Sequence, residues 1–288
     1  MKRKLIILLG PTASGKTEYS ISLAKKYDSP VISCDSRQIY KEMSIGTAVP
    51  DSEQLAAVRH YFIQTNTVTE LYTAGMYEAD ALALINRLFD EGHETLVMCG
   101  GSMFYIDALC NGIADVPKGD PQLRAELNAR LASEGVQSLA RELKELDPVA
   151  CESIDLSNGA RVMRAIEVCR ISGKPFSSFR MDTPKKRDFE IEKIGLYRPR
   201  EELYSRINER VTRMLDAGLI EEVRSLTQFR NLTALQTVGY KEIFEYLDNP
   251  GAISLEQTAD LIRAHTRNYA KRQITWWKRD TAVKWISV

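Results

Sequence analysis

The sequence predicts an α/β protein: a parallel sheet flanked by helices, interrupted by a helical insertion. Apolar runs that end in glycine or polar turns recur along the chain, helical patterns separate those runs, and one central stretch carries helical patterns alone. The first run, residues 5–9, leads into a glycine-rich turn and then a helix. The second, residues 31–34, ends at Asp35, and the third, residues 95–99, ends in Gly100-Gly101-Ser102. A fourth run, residues 191–196, follows the helical stretch. In a sheet of this kind ligands sit at the carboxyl ends of the strands, where both Gly10 and Asp35 fall.

Three spans follow from this pattern. Residues 1–114 form the first part of the core, and residues 185–288 complete it with long amphipathic segments at 201–217 and 255–278. Between them, residues 115–184 read as the insertion, with helical segments at 121–135, 137–146 and 158–171. Turn-forming stretches around Pro117-Lys118-Gly119-Asp120 and Thr183-Pro184 bound it. No internal repeat or low-complexity tract interrupts the reading.

The turn after the first run is the most specific signal in the chain. Gly10, Pro11, Thr12, Ala13, Ser14, Gly15, Lys16 and Thr17 fit the pattern G-x-x-x-x-G-K-[ST] at every constrained position. Consecutive backbone N–H groups around a concavity, together with the positive end of the helix after Lys16, make a site for an oligophosphate. Lys16 adds a mobile positive charge, and the Thr17 hydroxyl is placed to ligate a magnesium ion that the phosphates also bind. The core is therefore expected to be P-loop NTPase-like. Whether the phosphates belong to ATP, GTP or another molecule is left open by the loop.

Bulk properties narrow the class. The chain has 288 residues, 44% of them hydrophobic, enough for a large core plus an insertion. Lysine plus arginine equals aspartate plus glutamate at 39 each, so a nucleic-acid partner has to be read from local clusters. Five scattered cysteines without a C-x-x-C pair, and only three histidines, argue against a zinc site and fit a reducing cytoplasm. No run approaches membrane-spanning length, and the five apolar residues near the start are too few for a secretion signal.

Asp35 sits beside the phosphate loop in such a sheet. A carboxylate there can ligate magnesium, cap the next helix or take a proton from an acceptor. In many phosphate-loop NTPases a later strand ends in an acidic residue that organises magnesium and water. Here residues 95–99 run into paired glycines instead, which speaks against a motor-type ATPase and suggests that something large approaches the backbone. The tail adds Arg263, Arg267, Lys271, Arg272, Lys278, Arg279 and Lys284, with Tyr269, Trp276, Trp277 and Trp285 interleaved. Arg263, Arg267 and Lys271 recur every four residues, so on a helix they form one positive stripe suited to a phosphate backbone.

Over nearly its whole length the sequence resembles the bacterial tRNA dimethylallyltransferases (tRNA isopentenyltransferases, the MiaA family). The likeness is carried by Gly10 to Thr17, Asp35-Ser36-Arg37-Gln38-Ile39-Tyr40, Ile45-Gly46-Thr47-Ala48 and Gly100-Gly101-Ser102. It continues through residues 155–167 with Arg161 and Arg164, Arg206-Ile-Asn-Glu-Arg210, Gln236-Thr-Val-Gly-Tyr240 and Ala270-Lys-Arg-Gln-Ile-Thr-Trp276. The resemblance implies a phosphate-loop core whose helical insertion clasps the tRNA anticodon stem-loop. It implies a reaction in which dimethylallyl diphosphate alkylates adenine 37 at N6, so the loop grips the diphosphate of an isoprenoid.

Under that resemblance Lys16 and Arg210 counter the charge of the leaving diphosphate, Thr17 holds Mg2+, and Asp35 is the base. The tRNA contacts it implies are Asp35, Ser36, Arg37, Gln38 and Ser102 near the target nucleotide. On the insertion they are Arg124, Ala160, Arg161, Val162, Met163 and Arg164. On the tRNA side they are Gln236, Thr237, Val238, Gly239, Tyr240 and Lys241. A monomer is the default for a tRNA clasp of this geometry. Two positions depart from the pattern: Val49 stands where a lysine is usual, and Ser102 where a threonine is usual. The competing readings are a small-molecule kinase, with ATP in the loop and Asp35 activating a hydroxyl, and a non-catalytic RNA-binding switch.

Overall fold

The computed structural model describes residues 3–180 and 183–288. Leu5 to Leu9, the apolar run ahead of the glycine turn, are almost wholly withdrawn from solvent because their strand lies in the interior of the sheet. In chain order the first elements are β1 (Lys4–Leu9), α1 (Lys16–Lys26), β2 (Val31–Ser33), α2 (Ser52–Ala57), β3 (His60–Tyr61), α3 (Ala74–Asp90), β4 (Thr95–Cys99) and α4 (Met103–Asn111). A helical stretch follows, with α5 (Pro121–Glu134), α6 (Val136–Leu146), α7 (Pro148–Ser153) and α8 (Gly159–Ser172). The chain then runs through β5 (Glu190–Tyr197), α9 (Arg200–Asp216), α10 (Leu219–Ser225), α11 (Tyr240–Asp248), α12 (Leu255–Trp277) and β6 (Val283–Ser287).

The six strands form one sheet in the order β3-β2-β4-β1-β5-β6, and every pairing is parallel. Parallel strands covered on both faces read as continuous apolar runs, which is why β1 and β4 show little alternation. The pleat still sorts their side chains. Leu5, Ile7 and Leu9 join a cluster with Tyr77, Ile85 and Leu88 of α3 and Ile106 and Leu109 of α4. Ile6 points the other way, against Leu23 of α1 and Val97 of β4. A separate core gathers Ile39, Tyr40 and Met43 with Val211, Leu219, Tyr240 and Ile243, and so seats α9, α10 and α11 beneath the loop after β2.

The chain divides into two compact units, Met1–Asn111 with Lys186–Val288, and Gly112–Lys185. The four helices predicted or found in the second unit enclose their own core of Leu127, Leu139, Leu143, Val162, Ala165 and Ile166. No helix among the described residues is long and apolar enough to cross a membrane.

Two strands escape the sequence reading. β3 has two residues, too short for a pattern, and β6 lies in what reads as a basic, tryptophan-bearing tail. Its register places Trp285 opposite Gly195 of β5, where a side chain on residue 195 would meet the indole at 2.7 Å. The glycine thus admits the edge strand.

The second unit carries two buried carboxylates. Glu167 of α8, with 0% of its side chain exposed, accepts from Arg124 Nε at 3.1 Å and from Arg164 Nη1 at 2.7 Å. Arg164 Nη2 also donates to Pro117 O at 2.8 Å, fastening the segment ahead of α5. Asp147 accepts from the backbone N–H groups of Ala150 at 3.0 Å and Ser177 at 2.6 Å. Burial raises both carboxyls, but the paired arginines hold Glu167 below its ordinary 4.5, and the Ser177 and Ala150 donors hold Asp147 below 3.8. Each group therefore contributes stability at neutral pH that is lost as pH falls through its depressed value. Hydrogen exchange of α5 to α8 amides in the intact chain should accelerate steeply as pH drops below about 4, beyond the intrinsic trend. Glu167→Gln should remove part of that acid step and weaken the unit by about 1–3 kcal/mol at neutral pH. A variant with the wild-type pH profile would show that the carboxylate is not the acid-sensitive group.

Candidate active site

The phosphate loop spans the gap between the end of β1 and the start of α1, and much of it is tied down from outside. Lys16 Nζ donates to Gly10 O at 2.9 Å and Pro11 O at 2.7 Å. Gln273 of α12 accepts the Thr12 N–H at 2.9 Å. Arg206 of α9 donates to Ala13 O, and Arg198 to Ser14 O, each at 2.9 Å. Ala13 holds a left-handed φ of 63°, a conformation an alanine keeps only where its surroundings impose it. The side chain of Ser14 is wholly buried.

The loop after β2 forms the facing wall. Asp35 Oδ1 accepts the N–H groups of Arg37 at 2.9 Å and Gln38 at 3.3 Å, closing a turn. Among the described residues Asp35 Oδ2 takes no hydrogen bond, so one oxygen builds the turn and the other is available for chemistry. Ser102 Oγ, at the start of α4, accepts the Ser36 N–H at 2.7 Å and meets the Ser36 hydroxyl at 2.9 Å. Gln38 Nε2 donates to Thr47 O at 3.1 Å and Ala48 O at 2.9 Å. Arg210 reaches the same Thr47 carbonyl at 3.4 Å.

Residues 44–46 are gripped in turn by Glu222 of α10, whose carboxylate accepts three successive backbone N–H groups at 2.7–3.0 Å. The Tyr240 hydroxyl donates to it at 2.6 Å. Gly46 is required here, since a Cβ would stand 2.5 Å from the Tyr240 ring.

These walls enclose a cavity of about 1370 Å³, lined by residues 12–17, 35–38 and 44–51, by Gly100 and Gly101, and by side chains of α9, α12 and the segment before α11. Lys16, Arg37, Arg206, Arg210, Arg213, Lys241 and Arg272 face it against Glu18, Asp35, Asp51, Glu242 and Glu245. Burial pushes the Lys16 ammonium down to about 8, with the Arg210 charge adding to the depression and Asp35 opposing it. Burial likewise lowers Arg210, while Asp35 raises it. Two poorly solvated cations, Lys16 and Arg210, with Asp35 close by suit a multiply charged anion.

Several expected contacts sit differently. Val162 and Met163 are 0% and 5% exposed in the core of the second unit, and Tyr240 is fully buried, so none of these side chains reaches the surface. Helical periodicity is the reason, since Ala160, Arg161 and Arg164 take the other positions of the same turns and are exposed or half-exposed. Arg124 and Arg164 are engaged with Glu167. In the tail, Arg263 is bound by Glu256 at 2.7 Å and Asp260 at 2.8 Å, so the positive stripe starts neutralised at one end. The large group close to Gly100 and Gly101 belongs to the protein: a Cβ on them would meet Cys34 backbone at 2.5 Å and Gln273 Nε2 at 2.6 Å. Gln236, Thr237, Val238, Gly239 and Lys241 do line the cavity, whereas Ser102 lies buried beneath it.

Gln273, Glu222 and Arg198 are the site residues that sequence reasoning missed. Gln273 had a signal, a polar residue in a tail segment otherwise read for its charges. Glu222 and Arg198 had none, because the loop groups they hold are backbone atoms distant in sequence.

The family described as IPP transferase matches residues 38–280. The chain is 47% identical over 282 residues to tRNA dimethylallyltransferase 2 of Parabacteroides distasonis, covering 98% of this chain and 93% of the relative. It is 48% identical over 286 residues to tRNA dimethylallyltransferase 1 of Phocaeicola vulgatus, covering 99% and 94%. The chain belongs to the IPP transferase family. The phosphate loop and Asp35 precede the matched residues but fall within these nearly full-length alignments. Among solved IPP transferase structures, the full-length tRNA isopentenylpyrophosphate transferase of Bacillus halodurans is 35% identical with a TM-score of 0.71, covering 99% of this chain and 90% of that one. A eukaryotic dimethylallyltransferase acting on tRNA, 24% identical, shares the fold with a TM-score of 0.83, covering 99% and 74%.

Two measurements probe this IPP transferase site. Lys16 carries its charge below about pH 8 and loses it above, so affinity for a diphosphate monoester, already fully ionised, should weaken between pH 7 and 9. Calorimetric titration of Lys16→Ala should show weak binding without that slope; a persisting slope would assign it to another group. Gln273→Leu strands the Thr12 N–H and the Gly101 carbonyl, and should weaken diphosphate binding about tenfold. Unchanged affinity would mean that the loop keeps its form without this tie.

Proposed function

We propose that the chain transfers the dimethylallyl group of dimethylallyl diphosphate to N6 of adenine 37 in tRNA and releases diphosphate. The convergence of the phosphate loop, Arg210 and Asp35 on one cavity carries this reading, in a chain whose close relatives are named tRNA dimethylallyltransferases. The allylic C1–O bond breaks, the bond from C1 to N6 forms, and the N6 proton passes to a base. Charge grows on the departing diphosphate as the C–O bond stretches. Lys16, Arg210 and the loop amides neutralise it in a poorly solvated site, where such interactions act strongly.

A magnesium ion fits this arrangement in a limited way. Among the described residues no three acidic, histidine or cysteine side chains cluster as a cation site. Thr17, which lines the cavity, would therefore hold the ion together with diphosphate oxygens, as magnesium commonly binds. When bound, it supplies further charge neutralisation to the leaving group.

The N6 amine is a weak nucleophile because its lone pair is delocalised into the ring, so its proton must leave as the bond forms. Asp35 Oδ2 is the base. Its partner oxygen, by capping the 37–38 turn, fixes the carboxylate's direction. The target adenine has to leave the anticodon stack to arrive there. Ser36, Arg37 and Gln38 meet it on one side, residues 236–239 and Lys241 on the other, and Ser102 supports the turn from below. Ala160 and Arg161 of the insertion meet the stem-loop, to which the protein binds as a monomer. Arg124 and Arg164, held by Glu167 but still 40% and 30% exposed, present their outer edges beside them.

Asp35→Asn keeps the capping oxygen and removes the base. Its turnover should fall roughly 10²- to 10⁴-fold while tRNA affinity stays within a few-fold of wild type. Mass spectrometry of nucleosides from unmodified tRNA, incubated with dimethylallyl diphosphate or with ATP, reads both substrate and rate. Normal turnover with a large loss of affinity would refute the role, and an adenosine increment absent from wild-type reactions would refute the function.

A further inference from the structure

An exposed aromatic face extends outward from the cavity along α4 and the end of α12. Tyr269, Arg272 and Gln273 line the cavity, and Trp276 lies one turn further along the same helix. Gly101 lines it as well, three residues before Phe104. Trp276 is fixed from three directions. Its indole N–H donates to Asp107 at 3.0 Å, the Arg279 guanidinium covers its ring at 4.2 Å, and Phe104 meets it edge-on at 5.3 Å and 68°. Phe104 itself is 57% exposed and joins none of the buried clusters. An aromatic ring held firm by a backing tryptophan, yet largely open to water, contributes little to the core.

We propose that the Phe104–Trp276–Arg279 face is a stacking subsite for an unpaired nucleobase of the RNA, next to the base that enters the cavity. The proposal rests on the tRNA reading above. Every base has a flat face that stacks on an aromatic ring, and bases beside an extruded nucleotide lose a stacking neighbour. Charge complementarity selects the same occupant, because the exposed Arg279 lies over the Trp276 ring that backs Phe104 and the exposed Arg272 lies over Tyr269 at the cavity edge of the same helix, so that phosphates flanking a stacked base meet positive charge. Continuity with the cavity sets the distance: the subsite begins one helical turn from residues that line it.

The test uses an unmodified anticodon stem-loop with 2-aminopurine at successive unpaired positions around the target. For wild-type protein one position should lose emission on binding, as stacking quenches it. Phe104→Ala should weaken binding on the order of tenfold and abolish that quenching, Phe104→Tyr should retain both, and Phe104→Leu should behave as the alanine variant. The slope of log affinity against log salt should stay at the wild-type value in Phe104→Ala and shrink by about one in Arg279→Ala. Leu71→Ala, at an even more open apolar position, 76% exposed, should bind as wild type. Wild-type affinity in Phe104→Ala, or full rescue by leucine, overturns the subsite and leaves the tRNA reading standing. Failure of wild-type protein to bind any stem-loop overturns both.

Discussion

One buried amide holds the two halves of the site in register. Gln273, 1% exposed, accepts the Thr12 N–H at 2.9 Å and donates to Gly101 O at 2.8 Å, joining the loops after β1 and β4 to α12. The Gly101 bond is buried and the Thr12 bond partly so, and an unpaired buried backbone group costs roughly 1–3 kcal/mol, so the loops do not drift from the helix cheaply. Gly101 must be a glycine to let the amide this close. Because α12 also packs Ala270 against Leu203 and Ile207 of α9, the constraint extends to the helix that carries Arg206 and Arg210. The phosphate loop, the Gly101 wall and Arg210 are thus fixed by one chain of contacts.

The charges depend on that rigidity. Lys16 and Arg210 lie near enough for each to feel Asp35, and burial disfavours the charged form of both. Left mobile, two such cations would separate and rehydrate. Leu203, Ile207 and Val211 anchor α9 on its buried face, while the Thr47 carbonyl accepts from Arg210. The Thr47 turn is itself held by Gln38 and, through residues 44–46, by Glu222. An anion that enters finds positive charge already assembled, with little reorganisation left to drive its binding.

Much of this was legible in the sequence because it is local. Residues 5–17 announce a strand, a phosphate turn and a helix in consecutive order, and the four apolar runs became β1, β2, β4 and β5. What escaped is what depends on tertiary pairing. β6 has no pattern of its own beside a basic tail, and it becomes a strand through its register with β5. Val162, Met163 and Tyr240 sit among polar neighbours in motif-like stretches, and only helix phase tells which of those residues turn inward. Glu222 binds backbone N–H groups about 180 positions away in sequence, a relation that no spacing rule contains. The glycine pair drew attention for close approach, correctly in kind, but its neighbour proved to be Gln273 and Cys34 backbone.

The missing acid at the end of β4 fits the proposed chemistry. A phosphate-loop hydrolase needs a carboxylate there to organise magnesium and water for attack at phosphorus. In allylic transfer phosphorus is not attacked, the diphosphate leaves intact, and water is a competitor to be excluded. In the proposed reaction the acid is needed on the acceptor side, where a proton must be removed from nitrogen. The sheet agrees with that proposal, ending β2 in Asp35 and β4 in two glycines. The space an acidic side chain would occupy admits α12 with its glutamine, and the helix that braces the phosphate loop also leads outward to the basic, aromatic surface suited to RNA.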